Sequence, residues 1–234
     1  NLINKLLFWI ISAIGVLIKG PIIFIFTILP LCVLSIFKKK NYFRVIWTVR
    51  GFFLFLLISI PWFVAITIIS DGLFWHESAI NDLFNKVKSG QESHGFPPGY
   101  YSILMLLMFW PGVIFIPILL KKIFKDFKLS FLKKDYEIFI FFWFAVPLIL
   151  YELIPTKLPH YIFPSYAALS ILLSSITRKN NFYGVSQKFS FFILCFYPIC
   201  FLVAQIFIVY EYSNIDSRLW LITFSGICAL VMLI

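Results

Sequence analysis

Charge is scarce in this sequence. Asp, Glu, Lys and Arg together make up 13% of 234 residues. Apolar residues make up 62%, and the mean hydropathy is +0.97. A soluble core of this length cannot bury so much apolar surface, so lipid is the solvent for most of the chain. Cysteine is also sparse. Cys32, Cys195, Cys200 and Cys228 all fall within apolar segments without the paired spacing of a metal site, which leaves them as inert packing. The alternating ten-residue segments of a membrane barrel are missing. No secretory signal with a cleavage site opens the chain, and the first apolar run reads as an interior span.

What fills the sequence instead is long apolar runs, 30 Phe among them. At about 1.5 Å rise per residue these runs match the roughly 30 Å of a bilayer core. The expected fold is an all-α integral membrane bundle, a single membrane domain over residues 1–234 with about eight crossing helices. The spans are Leu6–Ile18, Pro21–Phe37, Val45–Ile69, Tyr101–Leu120, Ile138–Ile154, Tyr161–Ile176, Phe189–Tyr210 and Leu219–Ile234. Only Lys19 and Gly20 separate the first two, so a hairpin there competes with one long kinked helix. The chain starts at Asn1 rather than Met and its last span runs to Ile234 without a polar flank, which reads as a piece of a longer protein.

Lys and Arg are retained on the cytoplasmic side of short loops. The loops Lys38–Arg44, Lys121–Lys134 and Arg178–Lys188, with Lys5 and Arg50, collect the basic residues on one side. Of the 20 Lys and Arg, only Lys19, Lys86, Lys88, Lys157 and Arg218 fall on the other. The net charge of +10 is thus a topology signal, aided by anionic headgroups, and needs no nucleic acid.

Polar chemistry gathers on the sparsely basic side. The 70–100 loop contains an amphipathic stretch from Phe74 to Val87, suited to an interfacial helix. A turn-forming run, Ser89–Gly95, follows, and then Pro97-Pro98-Gly99. His76, Glu77, Glu92 and His94 could in principle hold a divalent metal, but the paired spacing of a zinc site is missing, and satisfied surface histidines are the plainer reading. A plain solvated connection with aromatic anchors is the bland alternative for the whole loop. Two further points share this side. Lys19 stands between two apolar spans, where a lysine either snorkels or serves an outward cavity. Prolines 155 and 159 fix the backbone around Lys157 and His160. Several cations beside an outward cavity are what a lipid-linked phosphate requires.

The segments IKGPIIF, PWFVAI, KVKSGQESHGFPPGYY, FWPGVIFIP and TKLPHYIFPSYAALSILL resemble the PMT-type GT-C glycosyltransferases, in particular the bacterial branch that includes the ArnT aminoarabinose transferases. The resemblance runs to about Ile176 and fades beyond it. It implies transfer of a sugar from a polyprenyl-phosphate carrier to a lipid A, glycan or protein acceptor. The setting is the periplasmic face of the inner membrane. The 1–234 chain is then part of a larger GT-C membrane domain, and 70–100 is a periplasmic loop. The family's catalytic acid lies in an earlier outer loop without a counterpart here, so this portion alone is expected to be inactive and to supply the cations. By motif, Lys19 matches the family's Lys-Gly pair, and Lys157, Pro159 and Tyr161 match its Lys-Leu-Pro-x-Tyr turn. The expected substrate-binding residues are Lys19, Lys86, Glu92, His94, Lys157, His160 and Tyr161, with Lys157 the foremost. Where better-known ArnT members carry Glu-His and then Arg-Phe, this sequence has Asn81-Asp82 and Lys86-Val87; Lys86 keeps a charge but loses the bidentate fork. A transporter or flippase-like protein, or an inactive remnant of a split glycosyltransferase, are the competing readings.

Overall fold

The structure, a computed structural model, describes residues 1–76, 96–126, 129, 132, 134–179, 187–212, 224 and 226. The fold is all-α, and no strand occurs among the described residues. Among the described residues three stretches are long and apolar enough to cross a bilayer: Leu2–Phe37, Val49–Ile69 and Asp135–Leu153. Tyr100–Met108 and Gly112–Lys125 qualify as a fourth only together. With its membrane-spanning helices the chain is an integral membrane protein.

The described chain divides into two compact units. The first comprises Asn1–Met105 and Lys128–Ser175. It opens with α1, Leu2–Lys19, capped by the Asn1 side chain, which accepts from the Ile3 N–H at 3.1 Å. A 3-10 turn, Gly20–Ile22, leads to α2, Ile23–Phe26, and α3, Ile28–Phe37. As one straight helix the 36-residue stretch Leu2–Phe37 would be about 54 Å long. Yet the Lys5 ammonium donates to the carbonyls of Arg44 at 2.6 Å and Trp47 at 3.1 Å. The chain therefore turns back at Lys19–Gly20, as the hairpin reading requires. Gly20 allows the reversal by taking φ +74, where a side chain is strained.

Helix α4, Val49–Ile69, packs along α1. The close approach needs Gly51, because a Cβ there would stand 2.4 Å from the Trp9 ring. Trp9 is buried and donates to the Ile46 carbonyl at 3.0 Å. A one-turn helix, α5, follows at Leu73–Trp75. Of the expected interfacial helix from Phe74 to Val87, only Phe74, Trp75 and His76 lie among the described residues. Helix α6, Tyr100–Met108, begins the segment expected as a single span from Tyr101 to Leu120. The structure breaks that segment at Phe109–Pro111, because Pro111 has no N–H with which to continue the helix.

The second unit comprises Leu106–Phe127 and Ile176–Ile234. Within it, α7, Ile116–Lys125, follows the 3-10 turn Gly112–Phe115, against which the long helix Gln187–Tyr212 packs. Of the expected last span Leu219–Ile234, only Phe224 and Gly226 are described.

Returning to the first unit, α8, Asp135–Leu153, packs on α2 and α3. The following helix, α9, Phe163–Lys179, leaves this unit at Ser175. Over its 19 residues α8 spans about 28 Å. Its Asp135 end meets the basic loop, where Lys38 pairs with Asp135 at 3.8 Å. Its Leu153 end carries the Pro155–Tyr161 turn. A buried cluster of Phe26, Tyr101, Tyr151 and Ile162 packs beneath that turn.

Candidate functional site

Helix α8 ends with unsatisfied carbonyls, as every helix does. Here Lys157 satisfies them. Its ammonium donates to the carbonyls of Tyr151 at 2.9 Å, Glu152 at 2.8 Å and Ile154 at 3.0 Å. It also lies 3.7 Å from the Glu152 carboxylate and 5.4 Å from the centroid of the Tyr101 ring. At 1% exposure the residue is sealed. Burial lowers the affinity of this ammonium for its proton, and Glu152 opposes that effect.

Glu152 closes the opposite kind of helix end. One carboxylate oxygen accepts from the Gly99 N–H at 2.8 Å. The other accepts from the Ser102 N–H at 2.8 Å and its hydroxyl at 2.9 Å. A carboxylate at the N-terminus of α6 and an ammonium at the C-terminus of α8 both complement the helix dipoles. Beside them Tyr101, fully buried, donates to the Leu158 carbonyl at 3.1 Å and accepts from the Leu158 N–H at 3.0 Å. The exit of the 70–100 loop docks on the same turn through the Phe96 N–H, which donates to the Pro155 carbonyl at 3.3 Å.

This framework holds the Pro159–Ile162 3-10 turn so that His160 is exposed and Tyr161 half-buried. From the hairpin tip, exposed Lys19 places its ammonium 5.5 Å from the centroid of the Tyr161 ring, within cation–π range. Burial and then the charge of Lys19 hold the His160 imidazole below its ordinary pKa. The imidazole is therefore neutral at neutral pH, and the accessible cation of the group is Lys19.

The structure thus brings Lys19, Lys157, His160 and Tyr161 to one end of the bundle. Lys157, expected as the foremost carrier-binding residue, has its ammonium engaged by three backbone carbonyls in this structure. Lys86, Glu92 and His94 lie outside the described residues, as does Glu77. Among the described residues no group of three or more His, Cys, Asp or Glu comes together that could hold a metal. Glu152 and Tyr101 went unrecognised in the sequence as parts of this site. The signal for Glu152 was its position in the last turn of a span, five residues before Lys157.

Comparison with known proteins bears on this arrangement. No family model matches the chain. Its fold superposes on the crystal structure of ArnT from Cupriavidus metallidurans bound to undecaprenyl phosphate. That match has a TM-score of 0.74 at 17% identity and covers 97% of this chain and 41% of that one. An undecaprenyl phosphate-alpha-4-amino-4-deoxy-L-arabinose arabinosyl transferase of Photorhabdus laumondii is 28% identical over 117 residues, 50% of this chain and 20% of the relative. The chain has the ArnT fold and is ArnT-like in sequence. A second such arabinosyl transferase, from Pseudomonas fluorescens, is 24% identical over 181 residues, 76% of this ArnT-like chain and 31% of the relative. An uncharacterized protein of Aquifex aeolicus is 28% identical over 173 residues, 74% of this chain and 38% of its own length. The ArnT-like chain thus spans well under half the length of these relatives.

Proposed function

We propose that this chain is the carrier-binding portion of a membrane glycosyltransferase that takes its sugar from undecaprenyl phosphate. The observation that carries the reading is the meeting of Lys19 with Tyr161 and His160 at the end of the bundle where few basic residues lie. The ArnT fold, seen elsewhere with undecaprenyl phosphate bound, supports the choice of carrier. The scarcity of Lys and Arg at this end supports a periplasmic setting in an inner-membrane protein. The acceptor is a lipid A phosphate, a glycan or a protein hydroxyl.

In the transfer, an acceptor oxygen attacks the anomeric carbon, the bond from that carbon to the carrier phosphate oxygen breaks, and its electron pair leaves with the phosphate. The acceptor's proton passes to a base, a part these residues do not supply. Lys19 stabilises the charge that develops on the departing phosphate, with its ammonium oriented by the Tyr161 ring. His160 adds a hydrogen-bond donor, and gains a charge only in acid. Lys157 and Glu152 position the turn and do not touch the carrier. A transport path would place ionisable groups along the middle of the spans; here, among the described residues, the paired charges stand at the two ends of α8.

The test is sugar transfer by the full-length protein in membranes from undecaprenyl-phosphate-linked donors. Loss on Lys19→Ala, with the protein still folded, supports the reading. Donor-independent activity, or transport without transfer, overturns it.

A further inference from the structure

At the other end of α8 the first unit holds an apolar slot of about 540 Å³, within the roughly 300–1,000 Å³ range of ligand-sized pockets. Its walls are Phe8 of α1, Leu31 and Leu34 of α3, and Phe139 and Trp143 of α8. Tyr42 and Asp135 stand at its mouth. The chain turns back at Lys19–Gly20, and the slot lies between the two arms, α1 and α3, and α8. From Asp135 to Trp143 the wall is about 12 Å deep, a little under half of the roughly 30 Å hydrocarbon core.

The mouth differs sharply from the interior. Tyr42 donates its hydroxyl to Asp135, which also pairs with Lys38. Lys40 stands over the Tyr42 ring, 5.5 Å from its centroid. The loop that forms this rim, Lys38–Arg44, contains four cations and no acid. Lys5 comes to the same rim, where it binds the Arg44 carbonyl. Asp135 is the one acid facing the mouth among the described residues that line the slot. A hydrocarbon-lined shaft of single-leaflet depth under a net positive rim is complementary to a molecule with an apolar tail and an anionic head.

We infer that this slot holds an acyl chain of an anionic phospholipid, with its phosphate at Lys40 and Arg44, in the leaflet opposite the proposed transfer site. The occupant is a diacyl lipid of the surrounding membrane. Basic pockets between membrane helices on the cytoplasmic side recognise such headgroups by the same physics.

The test uses the full-length protein in nanodiscs of mixed phosphatidylethanolamine and phosphatidylglycerol, with p-benzoylphenylalanine in place of Leu31 inside the slot. Illumination should yield an adduct with the mass of one phospholipid. Phosphatidylglycerol should exceed its bulk proportion in that adduct by about fivefold. In Lys40→Gln/Arg44→Gln the lipid adduct should persist with headgroups in the bulk proportion. An adduct to polypeptide, or bulk headgroup proportions in the parent, overturns the inference. Because the photoreactive residue can itself disturb packing, native mass spectrometry of the unmodified protein gives an independent reading. Phosphatidylglycerol should survive delipidation that removes phosphatidylethanolamine, and equal loss of both contradicts the site.

Discussion

Lys157 and Glu152 stand 3.7 Å apart, and each also closes a helix end, the ammonium at the C-terminus of α8 and the carboxylate at the N-terminus of α6. The pair is thus a joint between α8 and the helix that follows the 70–100 loop. Removing either partner leaves a poorly solvated charge and open backbone groups. Lys157→Ala or Glu152→Ala should each cost about 3–5 kcal/mol. Unfolding in mixed detergent, followed by tryptophan emission, measures it. A double-mutant cycle with Glu152→Gln and Lys157→Met should return a coupling energy well above that of an exposed pair. Additive losses would dissolve the joint.

Tyr101 tests the same joint without touching a charge. Its hydroxyl both gives to and takes from the backbone of Leu158. Tyr101→Phe leaves a part-buried N–H and carbonyl of Leu158 unpaired and should cost about 1–3 kcal/mol. The same unfolding assay reads it, and a loss below about 0.5 kcal/mol would show that the turn does not depend on this contact.

Much of this was legible in the sequence, and the reason is lipid. A bilayer forces backbone groups into helices and makes each charge declare a side. Lys19, Lys157 and His160 therefore sort to one end by charge alone, and the same sorting favours the hairpin at Lys19–Gly20 over one long kinked helix. What charge sorting could not reveal was which lysine is available. Lys157 and Lys19 carry equal charge in the sequence. The difference arises because the chain after Leu153 curls so that three carbonyls converge on Lys157, while Lys19 ends its helix in the open. The break at Phe109–Pro111 was written in the sequence as proline punctuation, but it sat inside a run apolar enough to read as one span.

The His160 imidazole should titrate below 6.5. Its depressed value means the unfolded chain takes up the proton more readily. The associated stability is then complete above the ordinary histidine range and is lost as pH falls through 6.5 toward the lowered value. With three histidines in this chain, NMR of labelled imidazole with His160→Gln as the assignment control resolves the titration. Lys19→Ala should move the midpoint upward. No movement would separate His160 from Lys19.

Topology offers a check that needs no activity. Single cysteines placed at Lys19 and at His160 should react with an impermeant reagent from outside intact cells, and one at Lys40 should not. Labelling of Lys19 and Lys40 positions from the same side would contradict the hairpin.

The most direct measurement is the transfer rate of Lys19→Ala in the full-length protein, assayed with an undecaprenyl-phosphate-linked sugar at matched membrane expression. Loss of a charge-assisted contact made in the transition state is worth roughly 1.5–3 kcal/mol, and so predicts a fall of about 10- to 150-fold with little change in stability. A rate within about twofold of the parent, equivalent to about 0.4 kcal/mol, would contradict the assignment of this lysine to the carrier phosphate.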